Sequence, residues 1–260
     1  MGSQKIQGEL WGKRPKDWAS IQEPTGNSGY QHALHHLKIK SGQTLLDVGC
    51  GTGYFGDLAF RQGAEVTGID ASEELIKQAK RRNPAIEFSS GEMEELPFSD
   101  CTFDFVCGFN SYQYAVNIKN ALSEARRVLK DKGKLAVMIW GNKGDCEALT
   151  YLKAIGSLLP PPPPGAAGPF ALSEDRLLER TLEEVGFKVI AIDDVHAIWD
   201  YPNRKTALKG LLSAGPVAKA IDNSSFEKVY EAVLEDIQPY IQKDGSVIYK
   251  NKYRVVICEK

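Results

Sequence analysis

The segment Leu45-Leu46-Asp47-Val48-Gly49-Cys50-Gly51-Thr52-Gly53-Tyr54-Phe55-Gly56 constrains this chain most. A short apolar run enters three alternating glycines, and a helical pattern follows at once. Glycine turns sharply with positive φ, and it lets a backbone approach a ligand with no side chain in between. Strand, glycine turn and helix in that order open a βαβ unit. Ligands of such sheets bind beyond the carboxyl ends of the strands, at the switch point.

The rhythm continues along the chain. Thr44 to Val48 reads as a buried strand, Tyr54 to Gln62 as a helix stopped by Gly63, and Glu65 to Ile69 as a second strand. Ser72 is suited to N-cap the next helix, with Glu73 and Glu74 in its first turn and Lys80, Arg81 and Arg82 in its last. Ile86 to Ser89 and Phe103 to Cys107 read as strands. Ile118, Ala121, Leu122, Ala125, Val128 and Leu129 form a helical stripe behind Asn117, and Lys134 to Trp140 is a continuous apolar strand. This alternation predicts an α/β fold: a doubly wound sheet, mostly parallel, with helices on both faces. After residue 141 the pattern changes. Helices are expected from Cys146 to Leu158 and from Ser173 to Val185, then a strand from Phe187 and a helical insertion over 200–245. A C-terminal strand, Tyr253 to Cys258, is expected to pair with the strand from Phe187 as an antiparallel edge, the C-terminal strand outermost. Residues 1–40 are expected to be an arm, and 41–260 the main domain, with 141–172 and 200–245 as lid elements.

Composition narrows the functional classes. Lys and Arg number 32 against 34 Asp and Glu, a formal net charge of −2. No basic run is present, which argues against a nucleic-acid partner. Five cysteines, an odd number, with no C-x-x-C pair support neither a disulfide framework nor zinc. Met1-Gly2-Ser3 lacks the Ser or Thr wanted at position 6 for myristoylation, where Ile6 stands. The apolar stretch between Glu147 and Glu174 is broken by Pro160 to Pro164, so no membrane helix is expected there. The expectation is a cytoplasmic protein that is a monomer or homodimer, with a small-molecule partner and no membrane. The proline run is expected to be a stiff loop between lid elements.

Two ligand classes suit the glycine turn. Gly51, Gly53 and Gly56 spell the dinucleotide pattern G-x-G-x-x-G, and an acidic residue follows about twenty positions on, at Asp70. The strand, however, ends at Val48, so the first turn glycine is Gly49, and the sixth position is then Tyr54, where Gly or Ala is wanted. Asp47 just before the turn suits an ammonium or sulfonium group better than a pyrophosphate. A dinucleotide-dependent oxidoreductase and a non-catalytic binding protein on the same fold remain the alternatives.

Leu46-Asp47-Val48-Gly49-Cys50-Gly51-Thr52-Gly53 resembles the first motif of class I S-adenosylmethionine-dependent methyltransferases. Val66-Thr67-Gly68-Ile69-Asp70-Ala71-Ser72, Gly91-Glu92-Met93-Glu94-Glu95-Leu96-Pro97-Phe98, Phe103-Asp104-Phe105-Val106 and Glu124-Ala125-Arg126-Arg127-Val128-Leu129 resemble later motifs in the same order. The likeness spans residues 42 to 140 and is most like the ubiquinone- and menaquinone-pathway branch. It implies a Rossmann-like fold, with S-adenosylmethionine as cofactor and S-adenosylhomocysteine as product. It further implies Gly49, Cys50, Gly51 and Gly53 around the methionine end, Asp47 near its ammonium, and Asp70 with Ala71 at the ribose. Glu92 and Met93 would face the adenine, and Asn110 the sulfonium region. Glu92 departs from the usual Asp by one methylene.

The acceptor atom, O, N or C, is left open, and an enolate carbon needs no base. Tyr112 and His196 are the candidate bases. Trp11, Trp18, Tyr30, Tyr114 and Trp199 are the candidate substrate contacts, pointing to a moderately hydrophobic small molecule. His32 and His36 share a helical face, but no third ligand can be placed from sequence, so no metal is expected.

Overall fold

A computed structural model describes residues 2–160 and 168–260. From Pro161 on, the proline run lies outside them. The sheet strands are β1 (Thr44–Val48), β2 (Glu65–Asp70), β3 (Glu87–Ser90), β4 (Phe103–Phe109), β5 (Leu129–Trp140), β6 (Lys188–Tyr201) and β7 (Val247–Glu259). The helices are α1 (Gln4–Trp11), α2 (Pro15–Asp17), α3 (Asn27–Leu37), α4 (Tyr54–Arg61), α5 (Glu73–Arg82), α6 (Ile118–Val128), α7 (Leu149–Gly156), α8 (Leu177–Glu184), α9 (Arg204–Leu211), α10 (Gly215–Asn223) and α11 (Phe226–Asp236). Among the described residues, no helix is long and apolar enough to cross a membrane.

The sheet order is β3-β2-β1-β4-β5-β7-β6. The first five strands are parallel, and the chain reverses direction of winding between β1 and β4. That switch point opens a crevice at the carboxyl ends of β1 and β4. Alternation along each strand sorts two cores. Leu45, Phe105, Cys107, Ala136 and Met138 face α3, α4 and α5, while Leu46, Val106, Leu135, Val137 and Ile139 face α6 and α8. Ser72 and Asn117 cap α5 and α6 as their positions predict, accepting hydrogen bonds from Leu75 and from Lys119 and Asn120.

The C-terminal strand departs from expectation in one respect. β7 is antiparallel to both neighbours, but it lies inside the sheet, between β5 and β6. Its run Val255-Val256-Ile257-Cys258 is covered on both faces, as an inner strand requires. The outer edge belongs to β6, whose alternate residues Ile190, Ile192 and Ile198 remain exposed. The 200–245 insertion forms α9 to α11, which pack with α1, α7 and the turn at Trp18–Gln22.

Candidate functional site

The glycine turn bridges β1 to α4. Gly49, Gly51 and Gly53 all have positive φ, at +73°, +55° and +74°. Side chains are excluded by space as well as by conformation. A Cβ on Gly49 would lie 2.3 Å from Cβ of Ser111, and one on Gly53 would lie 2.7 Å from Cζ of Phe88. The N–H groups of Gly49 and Cys50 both donate to the carbonyl of Ile69, at 2.8 and 3.0 Å, tying the turn to the end of β2. Only the backbone of Cys50 faces the turn. Its thiol packs beneath, against Gly68, where burial and the neighbouring Asp70 carboxylate push it well above the usual thiol range.

Asp70 ends β2. Its Oδ2 accepts from the N–H of Gly51 at 2.9 Å and its Oδ1 from the N–H of Ser72 at 2.8 Å, leaving a lone pair on each oxygen. Burial raises this carboxyl to about 6 despite both hydrogen bonds. Asp47 is 2% exposed, and its Oδ2 is buried without a hydrogen-bond donor. Burial, with repulsion from Glu23 and Asp70, holds it well above the carboxylate range. Asn110 follows β4 with φ +51°, and its Oδ1 is likewise buried and unpartnered. The indole N–H of Trp18, near Gly51, is a third such group.

A feature with no sequence signal completes this floor. Glu23 comes from the N-terminal arm and is buried over the turn. It accepts from the N–H of Thr52 at 2.7 Å, from the Thr52 hydroxyl, and from Arg82 at 2.5 Å. Arg82 also donates to the carbonyls of Thr52 and Ala19, at 2.8 and 2.7 Å. Burial nevertheless keeps Glu23 above the ordinary carboxyl range. Three buried carboxyl groups, Glu23, Asp47 and Asp70, therefore surround the turn, and Arg82 is hydrogen-bonded to Glu23 alone among them. Burial favours their protonated forms, and a positively charged ligand group would favour the ionised ones.

At the far end of the crevice, Glu92 accepts from the N–H of Gln4 at 2.7 Å and from the Ser3 hydroxyl at 3.4 Å. Helix α1 then passes against Ala71 and Ser72 at Gly8 and Gly12. The cavity between Ser3, Gly49, Asp70, Ala71, Glu92 and Met93 is closed to about 10 Å³. A larger cavity of about 340 Å³, ringed by Lys38, Lys40, Lys130, Lys132 and Lys134, lies at the opposite, amino ends of the strands. It shares no residue with the glycine turn.

The candidate aromatic residues divide into three groups. Trp11, Trp18 and Tyr114 meet edge to face beside the arm, with centroids 4.7 and 5.5 Å apart. Tyr30 packs on Tyr54, Phe55 and Phe109, close to Asp47 and Glu23. Trp199 belongs to the core. It packs against Trp140, Tyr151 and Tyr249, and its N–H donates to the Tyr253 hydroxyl at 3.0 Å. Neither candidate base suits that role. Tyr112 is 1% exposed, and burial drives its hydroxyl far above its usual range. His196 faces solvent on the edge strand, four strands from β1.

Comparison with known proteins agrees with this geometry. Residues 46–137 match the family model described as a methyltransferase domain. A malonyl-[acyl-carrier protein] O-methyltransferase of Erwinia pyrifoliae is 33% identical over 117 residues, covering 45% of this chain and 43% of that protein. A demethylmenaquinone methyltransferase of Renibacterium salmoninarum is 40% identical over 96 residues, covering 37% and 40%. The chain thus spans less than half the length of these curated relatives. Among solved structures, a SAM-dependent methyltransferase from Aquifex aeolicus superposes with a TM-score of 0.53 at 22% identity, covering 70% of this chain and 92% of that one. The glycine turn, Asp47, Asp70 and Glu92 all lie inside the span that matches the methyltransferase-domain family model.

Proposed function

We propose that this chain transfers the methyl group of S-adenosylmethionine to a small, moderately hydrophobic molecule. The observation that carries this reading is the set of buried carboxylates at the glycine turn, with Asp47 Oδ2 lacking any donor. A ligand bearing an ammonium and a sulfonium would relieve that charge. A dinucleotide would bring a pyrophosphate to the same place and add to it.

In this reading Asp47 accepts from the ligand ammonium, and the free lone pairs of Asp70 accept from the ribose hydroxyls. Glu92 and Met93 border the adenine, and the Asn110 amide oxygen faces the sulfonium region. When bound, S-adenosylmethionine supplies a methyl group that is already electrophilic. The chain's own residues then orient the acceptor and exclude water, and orientation alone is worth roughly 7–11 kcal/mol in favourable systems. With Tyr112 and His196 unsuited to proton transfer, the acceptor would arrive ionised or lose its proton to water.

We also propose that residues 1–40, with 141–172 and 200–245, form the lid and substrate elements. Contacts support this. Trp11 packs on Gly215 at the start of α10, where an added Cβ would lie 2.6 Å from the indole nitrogen. Tyr201 donates to Gln22 and Tyr151 to the carbonyl of Leu211, both at 2.7 Å. The Trp11, Trp18 and Tyr114 cluster then forms an apolar wall suited to a flat or aliphatic acceptor. The two curated relatives act, by their names, on malonyl-[acyl-carrier protein] and on demethylmenaquinone. Both serve as guides to acceptor chemistry.

Incubation with methyl-labelled S-adenosylmethionine and a panel of phenols, quinols and carboxylic acids tests this reading. Label should pass to at least one acceptor class, and Asp70→Ala should abolish transfer. If neither S-adenosylmethionine nor its product binds while NAD does, the reading is wrong.

A further inference from the structure

Helix α3 carries His32 and His36 one turn apart, so their rings lie side by side, with centroids 4.7 Å apart. The helix packs across the outer strands of the sheet and sets both rings over Asp193 of β6. Asp193 Oδ2 lies 3.1 Å from Nε2 of His32 and 3.5 Å from Nε2 of His36. One donor atom from each residue falls within a common span of 4.8 Å. Sequence offered no route to this third group, because Asp193 is far from the helix in the chain.

We propose that His32, His36 and Asp193 form a binding site for a first-row transition-metal dication of the zinc class, outside the glycine-turn site. Two imidazole nitrogens and one carboxylate oxygen suit Zn²⁺, Co²⁺ or Ni²⁺, and they suit Mg²⁺ or Ca²⁺ poorly, since those ions take oxygen ligands. Zinc bonds of about 2.0–2.1 Å in a tetrahedron put neighbouring donor atoms roughly 3.3 Å apart. The observed 3.1 and 3.5 Å bracket that spacing.

A second observation separates this cluster from an ordinary ion pair. Nε2 of His32 is buried, yet it makes no hydrogen bond, although the Asp193 oxygen lies 3.1 Å away. The ring is close to the carboxylate but misaligned for an N–H···O bond, as two ligands of one ion would be. Asp193 and both rings are partly exposed, so an ion has access and water can complete the coordination. Bound there, the metal pins α3 to the edge strand. The same helix carries Tyr30 into the floor of the crevice, so the site would act as a brace for it.

Metal titration of the untagged full chain in a Cys101→Ser background tests this, with Zn²⁺ by equilibrium dialysis and Co²⁺ by visible absorption. The expected result is one equivalent of Zn²⁺, a tetrahedral Co²⁺ spectrum, and a higher unfolding midpoint with Zn²⁺ than with Mg²⁺. His36→Ala and Asp193→Ala should each weaken Zn²⁺ binding about 100-fold or more. Their metal-free unfolding midpoints should stay close to that of the parent, since both positions are partly exposed. Absence of stoichiometric Zn²⁺, or affinity unchanged in both variants, would overturn the proposal.

Discussion

At the scale of single residues, the site is defined by charge that the protein leaves incompletely balanced. Asp70 shows the consequence for pH. Burial raises its folded-state value to about 6, above the ordinary 3.8, so the folded chain holds this proton more tightly than the unfolded chain does. Its stabilising share is complete below about pH 4 and is lost as pH rises toward about 6. On the proposed ribose contact, ligand binding would have the opposite dependence, because ribose hydroxyls need an ionised acceptor. At pH 5 only about one-tenth of such a group is ionised, so affinity for S-adenosylhomocysteine should be about tenfold weaker at pH 5 than at pH 7. Calorimetry across that range checks this, and Asp70→Asn should reduce the pH dependence, leaving the part due to Asp47, while lowering affinity. A profile that is flat in the parent chain would remove Asp70 from the ribose contact. The placement of Asp47, Asp70 and the glycines was legible in sequence because it depends on local order: strand, turn, strand end. Glu23 was not, since nothing near it signals burial and its partners stand 29 and 59 positions away.

At the scale of elements, the arm is fastened to the domain through the C-terminal turn of α5. Arg82 holds the Ala19 carbonyl and Glu23 together over Thr52. Replacing it with alanine would strand a buried carboxylate with no cation. Loss of one partner of a buried pair costs roughly 3–5 kcal/mol, and the partial exposure of Arg82 places the expected loss at the lower end, about 3 kcal/mol. Urea unfolding measures the total, and limited proteolysis should show faster cutting within residues 12–26. A midpoint unchanged by Arg82→Ala would show that the arm is held by its other contacts, such as those of Gln4 with Glu92 and of Gln22 with Tyr201. Elements β1 through β5 could be read from periodicity because each is covered on a predictable face. The exchange of places between β6 and β7 was only half legible. The continuous apolar run of β7 and the alternation in β6 carry that information, but sequence does not say which strand the returning chain pairs with first. Trp199 was misassigned for a related reason, since an aromatic residue late in an edge strand lines a core or a pocket with the same local pattern.

At the scale of the whole molecule, a closed crevice and a fastened arm imply gated entry. The N–H of Gln4 and the Ser3 hydroxyl hold Glu92 at the far end of the crevice, so on the proposed function residues 2–4 would leave Glu92 before a nucleoside enters. Stopped-flow binding should therefore show an observed rate that saturates with ligand concentration, set by arm opening. A rate linear up to high concentration would show that the arm stands open in solution. Isothermal titration of the full chain with S-adenosylhomocysteine, NAD and NADP at pH 7.5 compares the two ligand classes at the glycine turn. S-adenosylhomocysteine is expected to bind one-to-one, at least about 100-fold tighter than either dinucleotide, equivalent to roughly 2.7 kcal/mol. Asp47→Asn is expected to weaken that binding at least about tenfold, as a contact between Asp47 and the ligand ammonium requires. Equal or tighter binding of NAD, or an Asp47→Asn variant that binds S-adenosylhomocysteine as well as the parent does, would contradict the proposed reading of the glycine turn.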